Sequence, residues 1–350
     1  MKTKLRHLFT VITLCGYAIM LIIHSESVLE GQRQAIGKCL NVIIPSLFAF
    51  MVFSDLLIRS GLYVYVSKLF KPLAYILKIP EQLIFVFVIS NLAGYPIGAS
   101  LIANLYDNKL ISKESASRML SYSYNGGPAF FCGAVGLAIF NSAKIGVMIF
   151  ISIIIGNILF AFFYNRIFYI RGIEISNKIN LNSSMLSESI EAAGRNLFKI
   201  CLMILFFQSV VTIITEINAF GFVVQSEIRT LMFSVLEISN ITSLESLPYN
   251  LLPLITACCS FGGICIILQV YTIIKNRFSI LPLIINRIIC SVISAASFSI
   301  LFEFFGNDCI EVFSSTEVIV NFNNFIPSIC LIMMIFLTVL RKRLAFSDNI

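Results

Sequence analysis

Val88-Ile89-Ser90-Asn91-Leu92-Ala93-Gly94-Tyr95-Pro96-Ile97-Gly98-Ala99 lies in the middle of a mostly apolar run from Leu83 to Leu105. About 20 such residues suffice to span a bilayer as a helix. The centre of this run is unsuited to a continuous helix, because Gly94, Pro96 and Gly98 interrupt helical hydrogen bonding. An apolar segment broken at its midpoint is read as a re-entrant hairpin, and that reading governs the topology of everything around it.

The neighbouring sequence places the hairpin in a membrane. Further apolar runs cover Leu8–Ile23, Ile36–Ile58, Ile145–Phe163 and Pro327–Leu340. Of the 350 residues, 58% are hydrophobic and 12% charged, against about 45–50% and about 25% in a soluble domain. The net charge of +7 does not indicate nucleic acid. The basic residues flank apolar runs, as the positive-inside rule expects, and there is no basic stripe or aromatic RNA-binding motif. Leu8–Ile23 follows a basic start but ends in Ile22-Ile23-His24-Ser25-Glu26, a poor cleavage site, so it is read as an uncleaved first helix. The ten cysteines lie mostly in apolar runs, without a C-x-x-C pair, and read as small apolar fillers. With two histidines, His7 and His24, and no nucleophile–base pair or metal set, enzymatic chemistry, a metal and a cofactor are not expected.

Two landmarks recur. Val88-Ile89-Ser90-Asn91-Leu92 precedes Tyr124-Asn125-Gly126-Gly127-Pro128, and Glu237-Ile238-Ser239-Asn240-Ile241 precedes Ser260-Phe261-Gly262-Gly263. Similar lead-ins, Gly37-Lys38-Cys39-Leu40 and Gly194-Arg195-Asn196-Leu197, stand before each. Three landmarks in one order indicate an internal repeat. The charges then set the sense of each half. Lys2, Lys4 and Arg6 at one end, and Arg341, Lys342 and Arg343 at the other, place both termini in the cytoplasm. A hairpin over 83–105 keeps Lys109, Lys113 and Arg118 inside, and the next two crossings (119–140, broken at Gly126-Gly127-Pro128, and 145–163) return Arg166, Arg171 and Lys178 to the same side. In the second half, 197–215 goes out, 228–247 forms a shorter hairpin, 251–274 crosses inward with a break at Gly262-Gly263, and 281–305 leads to an acidic loop with Glu303, Asp308 and Glu311. The expected architecture is an all-α polytopic membrane protein, with about eight transmembrane helices and two re-entrant hairpins in an inverted repeat. Its parts are an N-terminal helix (1–30), a first repeat (31–170), a cytoplasmic linker and lead-in (171–195), a second repeat (196–305), and a C-terminal helix with a basic tail (306–350).

The segments Asn91-Leu92-Ala93-Gly94-Tyr95-Pro96-Ile97-Gly98-Ala99 and Ser123-Tyr124-Asn125-Gly126-Gly127-Pro128-Ala129-Phe130 resemble the nucleoside-recognition (Gate) membrane domain. With Leu236-Glu237-Ile238-Ser239-Asn240, Ser260-Phe261-Gly262-Gly263 and Gln269, the chain is similar over roughly 30–305 to the sporulation integral membrane protein family of the YlbJ type. That resemblance implies a role in endospore formation, with no substrate attached.

Helix breaks within a membrane expose backbone groups that lipid cannot satisfy. In secondary transporters such breaks build the midplane substrate site. Asn125, Gly126, Gly127 and Pro128, matched by Gly262 and Gly263, are therefore candidate substrate-binding residues, with packing kinks as the alternative. Pro128 suits the first position of the following half-helix. Asn91 and Asn240 either bind a ligand or cap broken backbone. Tyr95, Gly98 and Gln269 stand beside the breaks; for Tyr95 the alternative is packing. Glu237 is either a proton or cation coupling group or a hydrogen-bonding tie within its hairpin. Arg287 either serves the site or snorkels to the headgroups. The leading expectation is a transporter-like protein of spore formation that moves or senses a small polar solute. The alternative is a non-transporting membrane scaffold for spore-envelope (cortex) assembly. Expected partners are the lipid bilayer, that solute, and a second copy or other sporulation membrane proteins. The topology predicts that reporters fused at Lys113 and Lys178 read cytoplasm and one at Asp308 reads outside; an external signal at Lys113 would contradict the first hairpin.

Overall fold

The structure, a computed structural model, describes residues 2–128, 130–168, 170, 182, 184–217, 226–243 and 249–306. It is all helical among these residues. The first part holds α1 (Lys2–Ile23), α2 (Ser25–Lys38), α3 (Ile44–Arg59), α4 (Tyr63–Leu69), α5 (Lys71–Leu77), α6 (Ile84–Ala93), α7 (Ile97–Asp107), α8 (Lys113–Leu120), α9 (Ala138–Phe140) and α10 (Ala143–Ile167). The second holds α11 (Met185–Glu216), α12 (Ser226–Leu236), α13 (Leu252–Phe261), α14 (Ile264–Ile274) and α15 (Leu281–Phe305). Five helical spans, namely Lys4–Ile23, Ala143–Ile167, Met185–Glu216, Leu252–Ile274 and Leu281–Phe305, are long and apolar enough to cross a membrane, or up to seven if two bent pairs count as spans. The expected C-terminal helix with its apolar run Pro327–Leu340, residues 171–181 of the linker and residues 244–247 of the second hairpin lie outside the described residues.

The last described helix, α15, is apolar outward and polar inward, as suits a helix facing lipid on one side. On α15, Ile285, Ile288, Ile289, Val292 and Ile300 are exposed, whereas Asn286, Arg287, Ser291, Ser294 and Ser297 are buried. Lipid is as apolar as leucine, so close backbone approach rather than apolar burial holds such helices together. Small residues permit that approach: a Cβ on Gly156 of α10 would stand 3.2 Å from Ser294 Cα of α15. α3 packs along α11 and α10 along α15, so in both pairs the partners hold the same place in the two halves.

The chain reverses between α6 and α7, which pack on each other. Gly94 takes φ +91° at the turn, where L side chains are strained. A Cβ on Gly98 would come within 2.8 Å of Ser90 Cβ on the opposite limb. Gly98 is thus a contact point within the hairpin.

The lead-in before the second crossing is helical: α2 runs through a π-helical turn, Cys39–Ile43, directly into α3. Two expectations change. The segment 119–140 is not a helix interrupted at Gly126-Gly127-Pro128. α8 ends at Leu120, residues 121–127 are non-helical, and a π-helical stretch, Phe130–Leu137, follows. Side chains from other helices hold that extended stretch: Asn91 donates to Tyr122 O (3.4 Å) and Asn157 to Tyr124 O (3.2 Å). Once these carbonyls have tertiary donors, the chain no longer needs helical ones. The second change is at Arg287, which does not snorkel; it is fully buried.

Gly98→Ala should lower the thermal midpoint of the detergent-purified protein, because the added methyl has no room. Gly37→Ala, where nothing lies within 4 Å, should leave it unchanged or raise it. Equal midpoints for both variants would refute the close hairpin contact.

Candidate functional site

A helix ends with four carbonyls lacking intrahelical donors. At the end of α13 this happens inside the membrane, where no water serves them. Gly262 N–H donates to Cys258 O at 2.9 Å. Tyr95 Oη donates to Cys259 O at 2.6 Å, and Tyr124 Oη to Phe261 O at 3.1 Å. Arg287 Nη2 donates to Ser260 O and, at 2.7 Å, to Ser260 Oγ. Two of the four donors come from the first half's breaks, so the second break is closed by the first. The conformation itself needs glycine: Gly262 has φ +80° and Gly263 φ +89°. A Cβ on Gly262 would stand 2.5 Å from Tyr124 Oη.

Arg287 joins the two breaks. Its Nη1 donates to Asn157 Oδ1 at 2.8 Å, and its guanidinium carbon lies 4.8 Å from the Tyr124 ring centroid. It forms no ion pair among the described residues. What compensates the charge is the negative end of α13, which favours a cation, together with neutral acceptors and an aromatic face. Asn157, which the sequence reading missed, passes the link on by donating to Asn91 Oδ1 at 2.6 Å. The available signal was a single amide inside the apolar run of α10.

The remaining asparagines are occupied. Asn91 donates to Phe87 O (2.8 Å), and its own carbonyl accepts from Asn125 Nδ2 (3.1 Å). Asn125 Oδ1 in turn accepts from Gly126 N–H at 2.8 Å. Asn240 Nδ2 donates to Glu237 O at 3.0 Å. These four bonds cap broken backbone rather than present polar groups to a ligand.

A different subset of the candidates surrounds a cavity of about 50 Å³. Tyr95, Gly126 and Gly127 line it from the first half, and Glu237, Ser239 and Gln269 from the second. Asn91, Gly98, Asn125, Pro128, Asn240, Gly262, Gly263 and Arg287 are not in its wall. Gly126 must lack a side chain, since a Cβ there would stand 2.6 Å from the Phe131 ring. Glu237 is almost fully buried; Ser239 N–H donates to its Oε1 at 3.1 Å, and Ser239 Oγ bonds Oε2. Lys38 Nζ donates to Ser239 O at 3.2 Å, which brings a cation to the same turn. Gln269 Nε2 approaches Cys265 Sγ at 3.4 Å.

With this geometry in view, comparison with known proteins gives one relationship. Over 138 residues the chain is 30% identical to a Bacillus subtilis (strain 168) protein named sporulation integral membrane protein YlbJ, covering 39% of this chain. The match spans only 34% of that relative's length. No protein-family model matches the chain, and no solved structure matches it. The fold and the relative together define the class: a multi-pass membrane protein similar in part to a sporulation protein.

Arg287→Met should destabilise the protein by about 1–3 kcal/mol for each acceptor it orphans, Ser260 O and Asn157 Oδ1, read as a fall in thermal midpoint in detergent. Tyr95→Phe should cost a single such increment, for Cys259 O. Wild-type stability of Arg287→Met would show that the guanidinium does not satisfy the break.

Proposed function

We propose that the chain is a transporter-like protein of endospore formation, which moves or senses a small polar solute at the cavity between its two helix breaks. The observation that carries this reading is the composition of that cavity. Its wall comes from both halves and is mostly apolar, with a single carboxyl group, Glu237, in it. A protein whose breaks were only packing kinks would have no reason to bring a buried carboxyl, an amide and two glycines together at one void. The pairings of α3 with α11 and α10 with α15 support an inverted repeat, the architecture in which two such halves rock about a central site. In this reading Glu237 exchanges a proton or cation as the site changes access. A charged carboxylate in the membrane interior is costly, and such groups commonly mark ion or proton pathways. The spore assignment rests on the name of the partial relative. The cell membrane of the sporulating cell, with both termini cytoplasmic, is the proposed location.

The test pairs a phenotype with a site variant. Deletion should leave vegetative growth near normal and lower the yield of heat-resistant spores. Glu237→Gln, which keeps size and hydrogen bonding, should insert at wild-type level yet fail to restore the yield. Full restoration by Glu237→Gln would remove the coupling role. Absence of saturable solute flux in proteoliposomes, with the spore phenotype intact, would favour the scaffold reading.

A further inference from the structure

A second, larger cavity of about 260 Å³ lies between the halves, lined by α3, α7 and α11, and by α14 with the loop beyond it. Helical spacing aims each wall at it: Ser54 and Asp55 on α3, Ser100 and Asn104 on α7, Asn196 and Lys199 on α11. Lys275 and Arg277 enter from beyond the end of α14. The positive-inside rule places this end, with its basic residues, at the cytoplasmic face.

The charges at this mouth do not balance. Arg59 is neutralised by Asp55 at 2.5 Å and Glu188 at 2.9 Å, and Arg277 by Asp107 at 2.7 Å. Lys199 and Lys275 have no ion-pair partner among the described residues. The hydroxyl of Ser100, on the wall of the same cavity, is buried without a hydrogen-bond partner. Two ammonium groups outside any of these ion pairs, an orphaned hydroxyl and two amide side chains around one concavity are what a phosphate oxyanion needs. Lysines bind phosphate as point charges, and neutral donors complete its shell.

The walls also continue into the smaller cavity. Leu47 on α3, Ile200 and Ile204 on α11, and Gln269 on α14 line the inner cavity, each about one turn from residues that line the outer one. Tyr95 and Ile97 bracket the first break, with Tyr95 lining the inner cavity and Ile97 the outer.

From this we infer that the cavity at Lys199 and Lys275 binds a phosphate group at the cytoplasmic mouth of the path to the Glu237 cavity. The binding stands on its own charges; only the role as an entrance rests on the transport reading above. The phosphate could belong to a soluble cytoplasmic compound or to the headgroup of an inner-leaflet lipid, and both present the same chemistry to the lysines.

The test uses the full chain in nanodiscs, with inorganic phosphate as the probe and thermal midpoint as the readout, at ionic strength fixed with chloride. In phosphatidylcholine nanodiscs, phosphate should raise the midpoint saturably. The double variant Lys199→Gln/Lys275→Gln, altered only at exposed side chains, should keep the unliganded midpoint and need at least about tenfold more phosphate. Repeating the titration in phosphatidylglycerol nanodiscs separates the sources. An undiminished response assigns the site to a soluble phosphate compound. A response lost there but present in phosphatidylcholine assigns it to an anionic lipid headgroup. No saturable response in phosphatidylcholine, or one the double variant leaves unchanged, overturns the proposal. Because no flux is measured, this result does not depend on the transport reading; absence of flux in the proteoliposome assay would sink that reading and leave this site standing.

Discussion

Four backbone carbonyls at the end of α13, with no water to receive them, constrain the rest of the molecule. Each has one donor, and the donors are spread over the fold: Gly262 in the break itself, Tyr95 and Tyr124 at the first-half breaks, and Arg287 on α15. In water such a helix end would be nearly free of cost. In hydrocarbon each unsatisfied group costs several kcal/mol, so the second break exists only if the first half is in place to close it. The dependence runs back through Arg287, Asn157 and Asn91 to α6. The two halves are therefore one structural unit, and the cavity with Glu237 is bounded by elements that cannot be positioned separately.

Much of this was legible from the sequence, and the parts that were not share a cause. The apolar runs, the reversal at Gly94 and the break at Gly262-Gly263 follow from local chemistry: hydropathy, glycine at positive φ and helix propensity. The non-helical course of 121–127 does not, because Tyr122 O and Tyr124 O are held by Asn91 and Asn157, which are distant in sequence. Asn157 was overlooked for the same reason, being one amide in an apolar helix. For Arg287 the sequence leaves a choice between serving the site and snorkelling, because its burial depends on distant segments. Its actual partners are a carbonyl, a hydroxyl, an amide and an aromatic ring. Asn91 and Asn240 stand between binding and capping in the sequence, and their side-chain amide donors go to backbone.

The same geometry separates the groups that hold the breaks from those that face the cavity. Arg287, Asn157, Asn91 and Asn125 form a hydrogen-bonded frame, whereas Tyr95, Gly126, Gly127, Glu237 and Gln269 face the void. Tyr95 belongs to both, since its hydroxyl serves Cys259 O and its side chain lines the cavity. A change of access at the cavity would be felt at the α13 carbonyls through this residue first.

The claim that Arg287 couples the two breaks is tested most directly by hydrogen exchange on the purified protein, comparing wild type with Arg287→Met. Exchange reports local opening of hydrogen-bonded backbone. The account predicts faster exchange both in peptides covering Leu252–Ile274 and in those covering Ile84–Asp107, with the distal part of α10 unaffected. Unchanged protection in both segments would contradict it, and faster exchange confined to Leu252–Ile274 would show that the second break does not depend on the first.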